Sequence, residues 1–110
     1  MRIHHVALRT RDLTRLEAFY AGVLGLAVLR RDEVRGTVWL DAAGTVLMLE
    51  RAAADEPLAA PGTRELLAFA VDDKEAWRMR GLVLEDETPH TLYFRDPDGR
   101  RIAVSDYPFR

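Results

Sequence analysis

The 110-residue sequence contains no cysteine, and 15 of its 16 basic residues are arginine. The missing cysteines exclude disulfides, thiolate nucleophiles and Cys-ligated zinc or iron–sulfur centres. Schiff-base chemistry would rest on Lys74 alone, in a polar segment that reads as a solvated helix surface. A basic excess is also missing. Eighteen acidic side chains leave a net charge of −2, whereas a nucleic-acid platform carries a positive surplus. The apolar runs are too short to cross a bilayer, and Met1-Arg2-Ile3-His4-His5 lacks a signal-peptide apolar segment. The expectation is a cytoplasmic protein without nucleic-acid or membrane partners.

What is present is enough apolar material for a core: 48% of the residues are hydrophobic. Ile3–Arg9 reads as a strand with His5, Ala7 and Arg9 on one face and Val6 and Leu8 on the other. Asp12 is placed to cap a helix whose stripe is Leu16, Phe19, Tyr20, Val23 and Leu24, ending at Gly22 or Gly25. Strands are expected at Ala27–Asp32, Thr37–Asp41 and Thr45–Glu50, with turns at Arg35-Gly36 and Ala43-Gly44. Residues 51–64 hold an alanine run, Pro57 and Pro61-Gly62, and read as a linker.

After the linker the pattern restarts. Leu66–Val71 reads as a strand, Asp72-Asp73 opens a short helix that runs to Arg80, and Leu82–Glu85 reads as a strand. Thr91–Arg95 and Arg101–Ser105 form a hairpin across Asp96-Pro97-Asp98-Gly99, a type I turn by its chemistry. Residues 1–50 and 65–110 are thus two βαβββ units of an α+β fold. Leu40-Asp41-Ala42-Ala43-Gly44 matches Arg95-Asp96-Pro97-Asp98-Gly99, and Met48 matches Ala103. His5 lies 43 residues before Met48, and Leu66 lies 37 before Ala103, so the second unit is the shorter. Each sheet with one helix leaves a face uncovered, and two such faces can form the walls of a cleft.

His4-His5-Val6-Ala7-Leu8, Asp12-Leu13, Phe19-Tyr20 and Val23-Leu24-Gly25-Leu26 resemble the opening of the vicinal oxygen chelate superfamily. That group includes glyoxalase I, bleomycin-resistance proteins, fosfomycin-resistance enzymes and extradiol dioxygenases. Tyr93–Ile102 is similar to its closing hairpin. The resemblance implies paired mixed sheets around a cleft, in a homodimer that sometimes exchanges modules. It also implies four ligands for a divalent metal. They fall on His5, Met48, Leu66 and Ala103. Only His5 suits a hard cation: methionine is a soft donor, and leucine and alanine cannot coordinate. Glu50 shares a face with Met48, so a bulge or two-residue slip could pair it with His5, giving two ligands.

No cofactor is therefore expected. If a divalent metal is present, His5 and Glu50 are its candidate ligands. The cleft residues are His5, Ala7, Arg9, Trp39, Met48, Glu50, Leu66, Ala68, Tyr93, Arg101 and Ala103. His5 is the one catalytic candidate, as a general acid or base, against a plain strand histidine. Arg9 and Arg101 could grip an anion or form a charged rim or dimer contact. Glu50 is a cation-recognising carboxylate or a rim charge. Trp39 and Tyr93 could stack on a planar ligand or pack in the core, as Trp77, Phe19 and Tyr20 are expected to do. His4 should point to the opposite face from His5, and His90 should be a solvated loop residue or overhang the cleft. The reading favoured is a binder of a small molecule, with planar aromatics as candidates, in an apolar cleft and in a homodimer. The alternatives are a metal-dependent lyase, isomerase or dioxygenase-like enzyme, and a module that acts only through protein contacts.

Overall fold

The computed structural model describes residues 1–109. The chain divides into two compact units, Met1–Leu58 and Ala59 onward. Each is built on a four-stranded mixed sheet.

In the first unit, strand β1 (His5–Thr10) leads to helix α1 (Leu13–Glu17). The Asp12 side chain caps α1 by accepting the Arg15 N–H at 3.1 Å. The helix then widens to π winding over Ala18–Val23. It ends where Gly25 turns to φ +80° and the Leu26 N–H reaches back to the Tyr20 carbonyl at 3.1 Å. Strands β2 (Val28–Asp32), β3 (Thr37–Asp41) and β4 (Val46–Arg51) complete the sheet, in the order β1-β4-β3-β2. Strands β1 and β4 are parallel, and the other pairs are antiparallel.

The core lies on one face of this sheet. Leu16, Tyr20 and Leu24 on the helix and Val38, Leu40, Leu47 and Leu49 on the strands are all buried. Each side chain so buried contributes roughly 1.5–3 kcal/mol. The stripe is narrower than expected. Phe19 and Val23 are only partly buried, because the π winding carries them to the flank of the Leu16–Tyr20–Leu24 line. Ile3 lies outside β1 and is exposed.

The second unit repeats the topology, with order β5-β8-β7-β6. Its strands are β5 (Leu66–Ala70), β6 (Leu84–Thr88), β7 (Thr91–Arg95) and β8 (Arg101–Ser105). One 3₁₀ turn, Lys74–Trp77, stands where the first unit has its helix. Leu92, Phe94, Ile102 and Val104 are buried.

Three expectations change here. Strand β6 runs to Thr88 rather than stopping at Glu85. Its partner β7 starts after a two-residue turn, with Thr88 paired to Thr91. Every residue of β6 is exposed, so it is a charged edge strand without an apolar signature. Lys74 is not on a solvated surface. It is 8% exposed, and its Nζ donates to the Thr88 carbonyl at 2.8 Å and to Glu87 at 3.3 Å. The repeat alignment also shifts by one residue in the third strand. Trp39 opposes Met48 as Tyr93 opposes Ala103, so Leu40 corresponds to Phe94 rather than Arg95. The second hairpin loop is one residue longer, and Gly99 at φ +87° helps to accommodate it.

Candidate ligand-binding site

Strand alternation decides which side chains meet on the open face of the first sheet. Leu47 and Leu49 turn toward the helix, so Met48 and Glu50 turn away from it. The register places Ala7 and Trp39 on either side of Met48, and Arg9 and Thr37 on either side of Glu50. A β-bulge between Val28 and Arg30 then adds one residue to β2. Without it, Arg30 would share Val28's helix-side face. With it, Arg30 opposes Trp39 and Arg31 opposes Val38. Arg31 accordingly reaches the helix and pairs with Glu17 at 2.6 Å, while the Arg30 guanidinium lies 4.5 Å from the Trp39 ring centroid.

These residues surround a hollow of about 430 Å³. Arg9, Trp39, Met48 and Glu50, all expected in the site, line it. His5 and Ala7 share the face but not the lining. Arg30, Asp32, Arg35 and Thr37 line it and were not foreseen. Strict alternation from Val28 hides Arg30. The available signal was a second charged residue directly after it, which leaves one arginine facing the core unless a bulge intervenes. The hollow is consequently charged, not the apolar surface the missing metal ligands suggested.

Arg9 is the hub of a clasp. Its Nε and Nη2 donate to the two carboxylate oxygens of Glu56 at 2.9 and 2.8 Å, and Nη1 donates to Glu50 at 3.2 Å. The Glu56 carboxylate also accepts the Ala53 N–H at 3.1 Å. The Arg9 bonds first, and that backbone bond second, push Glu56 down to about 2. The same carboxylates hold the Arg9 pKa above its ordinary value. Arg11 donates to the carbonyls of Ala53, Ala54 and Glu56. Residues 53–56, within the stretch read as a linker, are therefore tied to the first unit. Glu50 faces the hollow, but as the partner of Arg9.

His5 is exposed, and its Nδ1 lies 2.9 Å from Nδ1 of His4. The two rings meet edge to face rather than pointing to opposite sides. The β1–β4 register runs unbroken from His5–Val46 to Thr10–Arg51. The slip that would pair Glu50 with His5 does not occur. Among the described residues, no three His, Asp or Glu side chains gather where they could hold a metal ion. The donors at the positions implied by the resemblance do not fit a hard cation: an imidazole, a thioether and two alkyl groups.

On the second sheet, Leu66 opposes Arg101 and Ala68 opposes Ala103. Leu66 is 44% exposed, whereas Ala103 is fully buried beside Tyr93. Arg101 lies over the Tyr93 ring at 4.2 Å, with Glu85 and Asp86 at 3.7 and 3.8 Å. A matching bulge between Leu84 and Asp86 sets Asp86 against Tyr93. The five expected residues of this unit thus share one sheet face, as the first six share theirs. His90 is an exposed turn residue, and its Nδ1 lies 2.9 Å from the Asp106 carboxylate.

A family model described as Glyoxalase/Bleomycin resistance protein/Dioxygenase superfamily matches residues 2–104. The chain belongs to this superfamily. Among solved structures, it is similar to lactoylglutathione lyase from Agrobacterium tumefaciens, with 25% identity over 94% of this chain and 91% of the other, at a TM-score of 0.71. Leishmania major glyoxalase I, described as trypanothione-dependent, gives 27% identity over 96% and 86%, with a TM-score of 0.73. TnmS3, an antibiotic binding protein from Streptomyces sp. CB03234, shares the fold at 22% identity, 96% and 94% coverage and a TM-score of 0.73. No curated protein matches the sequence. The two βαβββ-type units are thus those of the glyoxalase/bleomycin-resistance fold. Among the described residues, no helix is long and apolar enough to cross a membrane.

Proposed function

We propose that this glyoxalase-superfamily protein binds a small planar molecule in the hollow of its first unit and does not run the superfamily's hard-metal chemistry. The observation that carries the reading is the Trp39 ring, held on the open face by the β3 register and flanked by Met48 and Arg30. An aromatic floor beside fixed polar groups is the usual make-up of a small-molecule site. The fold it shares with an antibiotic binding protein is compatible with this role.

A second reading, a metal-dependent lyase, draws support from the two relatives at 25% and 27% identity. It requires donors that Met48, Leu66 and Ala103 do not supply. A cytoplasmic homodimer remains part of the proposal, because each small unit leaves one sheet face without its own helix.

The test is a thermal-shift series with planar aromatic probes on chelator-treated protein, alongside metal analysis. Stabilisation that disappears in Trp39→Leu supports binding in the hollow. Stoichiometric metal that is lost in His5→Ala would favour the lyase. Sedimentation as a monomer would remove the dimer.

A further inference from the structure

The lining of the hollow is unbalanced. Its two carboxylates are engaged: Glu50 by Arg9 at 3.2 Å, and Asp32 by the backbone N–H of Arg35 at 3.1 Å, with the Arg35 Nε at 4.0 Å. Arg9 is shared further with Glu56. Arg30 has no ion pair among the described residues, and its one described contact is the Trp39 ring. The Trp39 Nε1–H is buried and has no acceptor among the described residues. Both deficits have the same sign. A cation lacks a counter-charge and a buried donor lacks an acceptor, on two residues in contact.

A buried donor without an acceptor is unfavourable, and native structures rarely keep one without a reason. An ionised carboxylate supplies only acceptors and a negative charge. A guanidinium takes a carboxylate through charge-assisted bonds, bidentate where geometry allows. A cationic ligand would need an unengaged carboxylate, and the lining offers none. Stacking on Trp39 also limits how far the Arg30 head can wander, so less ordering is needed on binding.

We infer that the ligand is an aromatic carboxylate, its ring against the Trp39–Met48 floor and its carboxylate held by Arg30 with the Trp39 indole N–H. The inference rests on the small-molecule reading above and narrows it to one chemical class.

Calorimetric titrations with 2-naphthoate, its neutral analogue 2-naphthamide and the cation 2-naphthylmethylamine test it. Naphthoate should bind about ten-fold tighter than the amide, and the amine more weakly than either. Arg30→Met keeps much of the aliphatic stem and removes the charge. It should erase the naphthoate advantage, so that naphthoate and the amide bind alike, while Arg30→Lys retains part of the advantage. Arg30 is exposed, so neither variant should unfold, and thermal melts check this. Equal binding of amide and naphthoate, tighter binding of the amine, or an advantage that survives Arg30→Met would overturn the anion assignment and leave the small-molecule reading intact. If none of the three binds, both fall.

Discussion

Arg30 and Trp39 face each other across strands β2 and β3 because one extra residue interrupts the β2 register, placing a guanidinium 4.5 Å from an indole ring on the open side of the sheet. Removing that extra residue would leave Val28 opposite Leu40 and Arg30 opposite Trp39 in regular alternation, with Arg30 still on the open face. Deleting Leu29, an exposed residue in the bulge, should therefore preserve the preference for naphthoate over naphthamide, even if the deletion variant melts lower. Loss of the preference in the folded deletion variant would contradict the pairing of Arg30 with Trp39 as its source.

The alternation along β4 predicts opposite outcomes at adjacent positions. Leu49 is fully buried against the helix, and Leu49→Ala should cost about 2–5 kcal/mol in urea unfolding. Met48 is half-buried on the open face. Met48→Ala should cost less than Leu49→Ala and should weaken ligand binding. Equal stability losses at the two positions would contradict the assigned faces.

Two glycines should respond with opposite signs to alanine. Gly99 has φ +87°, and an added Cβ would lie 2.7 Å from Cβ of Pro61. Gly99→Ala should lose at least about 1–2 kcal/mol, the usual cost of a left-handed L-residue, plus the clash. Gly22 lies in the helical segment with nothing within 4 Å of an added Cβ. Gly22→Ala should gain roughly 0.5–1 kcal/mol. Thermal melts of the two single variants decide this.

The Arg9–Glu56 clasp gives a pH dependence of fixed sign. Glu56 falls to about 2 in the folded protein from an ordinary value of 4.5. Its contribution to stability is thus present above about 4.5 and is lost as pH falls toward 2. A carboxyl ¹³C titration should show the low midpoint in the parent protein and a return toward the ordinary range in Arg9→Gln. The urea midpoint of the parent should fall across that window more than that of Glu56→Gln. A Glu56 midpoint unchanged by Arg9→Gln would rule out the clasp as its cause.

The architecture was readable because its signals are periodic. Val6 and Leu8 alternate with Ala7 and Arg9, Asp12 precedes an apolar stripe, and Asp96-Pro97-Asp98-Gly99 has strong turn chemistry. The lining of the hollow is readable only where alternation holds, which places Arg9, Trp39, Met48 and Glu50 on it. Alternation does not place Arg30 there, because a bulge breaks the count. Lys74 and β6 were misplaced for related reasons. A buried lysine reads as polar surface until its partners Thr88 and Glu87 are known, and a wholly exposed edge strand has no apolar face to betray it. The folding back of residues 53–56 depends on Arg9 and Arg11, more than 40 residues away in sequence, which no local pattern reveals.

The most direct measurement is the ¹H–¹⁵N spectrum of the chelator-treated protein, whose two tryptophans, Trp39 and Trp77, give two indole N–H signals. Titration with 2-naphthoate should move the Trp39 signal saturably downfield, as its unpaired donor gains an acceptor, and should leave the Trp77 signal in place. A Trp39 signal that stays still, that moves no more than that of Trp77, or that moves only after a divalent metal is added would contradict metal-independent binding in this hollow.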